Sequence, residues 1–198
     1  ENFRRNSTPW KAAGVAIPVF SLRSKKSFGV GEFDDLRLMI DWAAETGKRM
    51  IQTLPVNDTI LHRNNRDSYP YNAVSVYALH PLYLNPYRAG KLKNDDQRKY
   101  YEQQRKALNS LPIVAYQEVM ELKWAYLSEL YEQEGTAVFR KKDFKQFFDS
   151  NKEWLVPYAA FSYLRDLYGT PDTQKWDTHQ SYSQSAIEDM CAASSEVY

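Results

Sequence analysis

Hydrophobic and polar positions follow two different patterns along the chain. In the first, from about Trp10 to Leu84, an uninterrupted apolar run, Gly14-Val15-Ala16-Ile17-Pro18-Val19-Phe20, has the length and composition of a buried strand. Pro18 cannot donate to a strand ladder, so it is expected near the strand's end or on a free edge. A polar loop over residues 21–31 follows. Phe33, Leu36, Met39, Ile40, Ala43 and Ala44 then recur at three- and four-residue steps, which predicts a helix over residues 32–46 with one apolar face. Asp34 and Asp35 fall in its first turn, where the helix dipole favours acids, and Gly47 suits the position just past its end. Met50-Ile51-Gln52-Thr53-Leu54-Pro55-Val56 is a second strand candidate. Strand, helix and strand at these lengths predict a βαβ unit with parallel strands. One such unit leaves sheet edges and apolar faces that need further strands.

The second pattern, from Asn94 onward, is helical. Residues 97–108 form a polar helix candidate. Pro112 opens a longer one through Glu134, with Val119, Leu122, Tyr126, Leu127 and Leu130 on its apolar face and Gly135 expected to end it. Residues 136–149 carry Phe139, Phe144, Phe147 and Phe148. Ser150 or Asn151 is expected to cap a further helix through Tyr168, with Gly169 as its stop and Pro157 kinking it or resetting its start. Residues 171–180 read as a loop, and residues 183–197 as a last helix.

Composition narrows the function classes. The 198 residues are 43% hydrophobic and 26% charged, a globular balance that suits one ordinary domain. A net charge of +1 carries no electrostatic footprint for nucleic acid or an anionic membrane, and the chain has no long uncharged apolar run. It opens on the polar Glu1-Asn2-Phe3-Arg4-Arg5 rather than on a signal-like segment, and the first residue is not Met, so the chain is expected not to be the start of the gene product. The single cysteine, Cys191, cannot form an internal disulfide, which favours a reducing, cytoplasmic setting. Aromatic residues reach 15%, a level that suits either helix packing or stacking on sugar rings.

In parallel α/β folds, ligands meet the C-terminal ends of strands. The segment after the second strand reads Asn57-Asp58-Thr59 and then Asp67-Ser68-Tyr69-Pro70-Tyr71-Asn72. Amides, carboxylates and hydroxyls beside rigid aromatics are what a sugar site needs, and Pro70 would hold Tyr71 in place. The same residues also suit a turn whose tyrosines pack on a neighbour. Gly29-Val30-Gly31 lacks the full phosphate-loop pattern and is followed by acids. His62, His80 and His179 are widely separated and lack metal spacing, and Cys191 reads as a packing residue. No cofactor or metal site is expected.

Residues 14–86 resemble the opening of the amylomaltase and disproportionating-enzyme family, glycoside hydrolase family 77. The matching pieces are Gly14-Val15-Ala16-Ile17-Pro18-Val19-Phe20-Ser21-Leu22-Arg23, Phe28-Gly29-Val30-Gly31-Glu32-Phe33, Ile40-Asp41-Trp42-Ala43, Gln52-Thr53-Leu54-Pro55-Val56-Asn57-Asp58-Thr59, Asp67-Ser68-Tyr69-Pro70-Tyr71-Asn72, and Ser75-Val76-Tyr77-Ala78-Leu79-His80-Pro81-Leu82-Tyr83-Leu84. Each piece is weak alone, but in this order and spacing the set is specific. Within the family it is similar to the branch typified by the plant cytosolic disproportionating enzyme. Shorter bacterial amylomaltases usually have His-Pro-Thr-Ser where this chain has Pro18-Val19-Phe20-Ser21.

The resemblance implies an α/β fold: an incomplete portion of a (β/α)8 TIM barrel, its first βαβ unit and substrate loop over residues 10–93, plus a mostly helical insertion subdomain over residues 94–198. It implies transfer of α-1,4-glucan segments with retention of configuration through a covalent glycosyl-enzyme intermediate, which needs a nucleophile and an acid/base carboxylate. The family's catalytic carboxylates lie on later strands, so none is assigned here, although Glu32, Asp34, Asp35, Asp58 and Asp67 are acidic. Tyr71 matches a family tyrosine that lies against a sugar ring. Ser68 and Asp67 are neighbours able to reach sugar hydroxyls, and Asn57 and Asp58 stand at the strand's end. The expected partners are a maltooligosaccharide or α-glucan substrate and the remaining barrel strands of the same polypeptide. The alternatives are a non-catalytic maltooligosaccharide-binding module and a helical interaction domain.

Overall fold

The computed structural model describes residues 11–192. Strands β1 (Gly14–Ala16) and β2 (Met50–Gln52) pair in parallel, with Gly14 opposite Met50, Val15 opposite Ile51 and Ala16 opposite Gln52. Helix α1 (Phe33–Glu45) makes the crossover between them, so the expected βαβ unit is present. Both strands are shorter than their apolar runs. The amide of Ile17 still donates to the carbonyl of Gln52 at 2.8 Å, but Pro18 has no N–H to continue the ladder. The chain turns at Val19–Ser21 in one 3-10 turn, and Val19 is buried in the core instead of in the sheet.

Two glycines bring the 21–31 loop back onto that turn. Gly29 adopts φ +81°, a region that residues with a Cβ rarely enter. A Cβ on Gly31 would lie 1.9 Å from the carbonyl oxygen of Val19, so only glycine permits this approach. At the start of α1, the carboxylate of Asp35 accepts from the amide of Glu32 at 2.8 Å and from the hydroxyl of Ser27 at 2.8 Å. That satisfies an amide the helix itself cannot pair. Gly47, at φ +70°, follows the last turn as expected. The helix buries less than its pattern suggests: Phe33 and Leu36 pack on the core and Ala43 is buried, while Ile40 is exposed, as are Leu38, Trp42 and Met50.

The remainder is helical: α2 (Pro86–Ala89), α3 (Asp95–Asn109), α4 (Tyr116–Phe139), α5 (Lys142–Tyr168) and α6 (Gln184–Met190). Four expectations are corrected. Helix α4 begins at Tyr116, and Pro112 lies in the irregular stretch before it. Helix α4 runs through Gly135 to Phe139; a Cβ there would lie 2.9 Å from the ring of Tyr131, so this glycine makes room for a side chain and does not end the helix. Asn151 does not cap a new helix. Its side-chain Nδ2 donates back to the carbonyl of Phe147 at 2.7 Å inside a continuous α5, and Pro157 lies within that same helix. The last helix spans Gln184–Met190, and the end of its expected range lies outside the described residues. Gly169 does close α5, at φ +66°.

The apolar face of α4 joins two clusters. Val119 and Met120 pack with Val19, Val30, Ile60, Leu82 and Tyr83, while Leu122, Tyr126 and Leu130 pack with Phe28, Leu92 and Tyr101. Residues on both sides of position 94 therefore share one core.

Candidate functional site

The chain leaves β2 and makes a long excursion that returns beside its own start. Asn57 and Leu79 form an isolated antiparallel bridge. The amide of Asp58 donates to the carbonyl of Ala78 at 2.9 Å, and that of His80 to Val56 at 2.9 Å. These bonds close the neck of the excursion and hold Asn57, half-buried, at its entrance.

Within the loop, the two carboxylates point inward. Asp58 is 1% exposed; its Oδ1 accepts from the amide of Ile60 at 3.1 Å and its Oδ2 from the hydroxyl of Tyr158 at 2.8 Å. Asp67 is 3% exposed and accepts from the amide of His62 at 3.1 and 3.0 Å, while its carbonyl accepts from the hydroxyl of Thr59 at 2.5 Å. A buried carboxylate is tolerated where donors surround it, and here the donors are the loop's own amides and a phenol from α5. Burial beside the Asp58 carboxylate pushes the Tyr158 phenol above its ordinary range.

The tip of the loop faces solvent. Asn64 accepts from the amide of Arg66 at 3.0 Å and caps a 3-10 turn, Asn65–Ser68, whose last hydroxyl donates to the carbonyl of Asn65 at 2.7 Å. Ser68 is therefore exposed but already bonded. Beyond it, Tyr69 and Tyr71 are each 60% exposed, with ring centroids 5.6 Å apart and planes inclined at 52°. Two apolar ring faces held in water beside Pro70 form a platform on which the C–H face of a sugar could lie.

The structure thus brings Asn57, Asp58, Asp67, Ser68 and Tyr71 into one loop and divides them by orientation. The sequence did not single out α5 as part of this surface. Tyr158 and Arg165 reach the loop from residues far along the chain, and the signal was a tyrosine and an arginine at helical spacing on an otherwise apolar stripe.

The other three acidic residues singled out in the sequence, Glu32, Asp34 and Asp35, are engaged elsewhere. Glu32 pairs with Lys123, Asp34 with Arg88 at 2.8 Å, and Asp35 caps α1. Among the described residues, no group of three His, Cys, Asp or Glu is placed to hold a metal ion. No described helix is long and apolar enough to cross a membrane. Cys191 is free and half-buried, and burial raises its thiol above the ordinary value.

A parallel βαβ unit, a loop at the end of its second strand and an aromatic tip are the elements on which comparison with known proteins bears. The profile of the 4-alpha-glucanotransferase family matches residues 17–198, and the chain belongs to that family. It is 40% identical over 181 residues to 4-alpha-glucanotransferase DPE2 of Oryza sativa subsp. japonica, covering 91% of this chain and 19% of that protein. It is 35% identical to the 4-alpha-glucanotransferase of Chlamydia pneumoniae over 80% of this chain and 30% of that protein. Against the 4-alpha-glucanotransferase of Haemophilus influenzae it is 27% identical, over 86% of this chain and 25% of the relative. The chain therefore spans 19% to 30% of the length of these relatives.

Proposed function

We propose that this chain is the amino-terminal part of the catalytic domain of a cytoplasmic 4-α-glucanotransferase, which moves α-1,4-glucan segments between oligosaccharides with retention of configuration. Family membership across residues 17–198 carries this reading. The parallel βαβ unit is the opening of a (β/α)8 barrel, with residues 10–93 as its first strands and substrate loop. Residues 94–198 are the helical insertion, which shares its core with the barrel portion. The exposed apolar side chains Leu38, Ile40, Trp42 and Met50 are the surface that further barrel strands of the same polypeptide cover.

In this reading Tyr71 lies against a glucosyl ring, with Ser68 at the same tip and Asn57 at the neck of the loop offered to sugar hydroxyls. Asp58 and Asp67 serve the same surface by fixing the backbone that carries it. The nucleophile and acid/base carboxylates come from outside this chain, in keeping with the engagement of Glu32, Asp34, Asp35, Asp58 and Asp67 in pairs, caps and loop bonds.

The test is to incubate the complete polypeptide with maltotriose and follow the products. Redistribution into longer and shorter α-1,4-linked chains is expected. Binding of maltooligosaccharides without redistribution would make the protein a binding module, and neither binding nor redistribution would remove the glucan reading.

A further inference from the structure

Helix α5 lies along the substrate loop. Trp154, Tyr158, Phe161 and Arg165 are separated by four, three and four residues and so share one helix face. Each meets the excursion or its return at a different point. The indole of Trp154 stacks on Tyr77, with centroids 5.5 Å apart and planes inclined at 23°. The hydroxyl of Tyr158 donates to Oδ2 of Asp58 at 2.8 Å. Phe161 lines a cavity of about 290 Å³ with Val74, Ser75, Pro157 and Tyr158. The guanidinium of Arg165, from a residue 5% exposed, donates to the carbonyl of Ile60 at 2.5 Å. One residue further, Asp166 forms an ion pair with Arg63.

We propose that Tyr158 and Arg165 are positioning residues for glucan binding, with α5 acting as the brace that sets the shape of the 57–72 loop and so the placement of Tyr71. This rests on the glucanotransferase reading for its substrate, but the bracing itself rests on geometry. Asp58 has two bonds that fix opposite sides of its carboxylate: Ile60 from within the loop and Tyr158 from the helix. Thr59 links the same stretch to Asp67, three residues after Asn64 and four before Tyr71. A displacement at Asp58 or Ile60 is therefore passed along a hydrogen-bonded path to the turn that presents Tyr71. The loop's only regular pieces are one bridge and one 3-10 turn among the described residues, so its shape rests largely on local turn bonds and on side-chain bonds of this kind.

The experiment compares the complete enzyme with its Tyr158→Phe variant, which keeps the ring and removes the hydroxyl. Amide hydrogen exchange within residues 57–72 should rise while exchange in α3 and α4 stays as it was. The KM for a maltooligosaccharide donor should rise about tenfold, the scale of a coupling between contacting groups, with a smaller change in kcat. In a Tyr71→Ala background the same substitution should change KM by less than about twofold, because the group being positioned is gone. Asp58→Asn added to Tyr158→Phe should recover part of the loss, since a neutral amide tolerates a missing donor better than a carboxylate. Arg165→Met should reproduce the loop exchange pattern.

Unchanged exchange in the loop of Tyr158→Phe would overturn the proposal. So would a rise spread evenly over the protein, which marks a general loss of stability, or an undiminished effect of Tyr158→Phe in the Tyr71→Ala background. If the complete polypeptide shows no glucan transfer, the functional reading falls, while the exchange measurement still decides whether α5 braces the loop.

Discussion

The ammonium of Lys123 lies 2.5 Å from Oε1 of Glu32, and both side chains are 1% exposed. Lys123 comes from α4, and Glu32 from the residue before α1, so the pair joins the helical part of the chain to the βαβ unit. The ammonium also donates to the carbonyls of Leu82 at 2.5 Å and Leu84 at 2.8 Å, and Oε2 of Glu32 accepts from the side-chain Nδ2 of Asn85 at 2.8 Å. Burial works against both charges, raising the carboxyl of Glu32 and lowering the ammonium of Lys123, while each partner opposes that shift in the other. Lys123→Met strands a buried carboxylate and is expected to cost about 3–5 kcal/mol. Adding Glu32→Gln should restore much of it. Denaturant titration of the complete enzyme and both variants measures the difference.

Tyr71 is exposed, and its side chain makes no hydrogen bond that holds the loop among the described residues, so its removal should leave stability alone. Tyr71→Ala is expected to lower kcat/KM for maltooligosaccharide transfer by one to two orders of magnitude, roughly 1–3 kcal/mol of transition-state stabilisation. The melting temperature should not move. Steady-state kinetics and a thermal melt on the same preparation make the comparison, and unchanged kinetics would remove Tyr71 from the substrate surface.

His80 should make the protein sensitive to mild acid. It is 4% exposed, its Nδ1 accepts from the amide of Leu82 at 3.0 Å and its Nε2 lies 3.1 Å from the hydroxyl of Tyr116. Protonation would set an N–H against the Leu82 amide. Burial lowers the imidazole below its ordinary 6.5, with Asp58 and Asp67 opposing that shift. The neutral ring's contribution is therefore complete above 6.5 and is lost as pH falls through the depressed folded value. Melting temperatures recorded from about pH 8 to about pH 5 should fall on the acid side. The fall should be shallower in His80→Gln, whose amide oxygen can still accept from Leu82.

The glycines offer a contrast between space and conformation. A Cβ at Gly47 meets nothing within 4 Å, so Gly47→Ala costs only the left-handed backbone, about 1–2 kcal/mol. A Cβ at Gly31 would lie 1.9 Å from a backbone oxygen that cannot rotate away. Gly31→Ala should leave little folded protein, judged by soluble yield and circular dichroism, where Gly47→Ala folds with a modestly lowered melting temperature.

Much of this protein was determined by the sequence itself. The three- and four-residue spacing of Phe33, Leu36, Met39, Ile40 and Ala43 specified α1, and Gly47 and Gly169 closed their helices, because periodicity and left-handed backbone are local properties. The ordered motifs through residues 14–86 carried the family. Tertiary structure decided what depends on partners far along the chain. Val19 left the line of β1 because Ile60, Leu82, Tyr83, Val119 and Met120 were there to receive it. Lys123, a polar residue on the apolar face of α4, became buried because Glu32 and two carbonyls were there to receive it. Among the candidate site residues, pattern could gather Asn57, Asp58, Asp67, Ser68 and Tyr71 but could not orient them. Asp58 turns inward because Tyr158, 100 residues away, supplies its donor, and a desolvated carboxylate goes where its hydrogen bonds are.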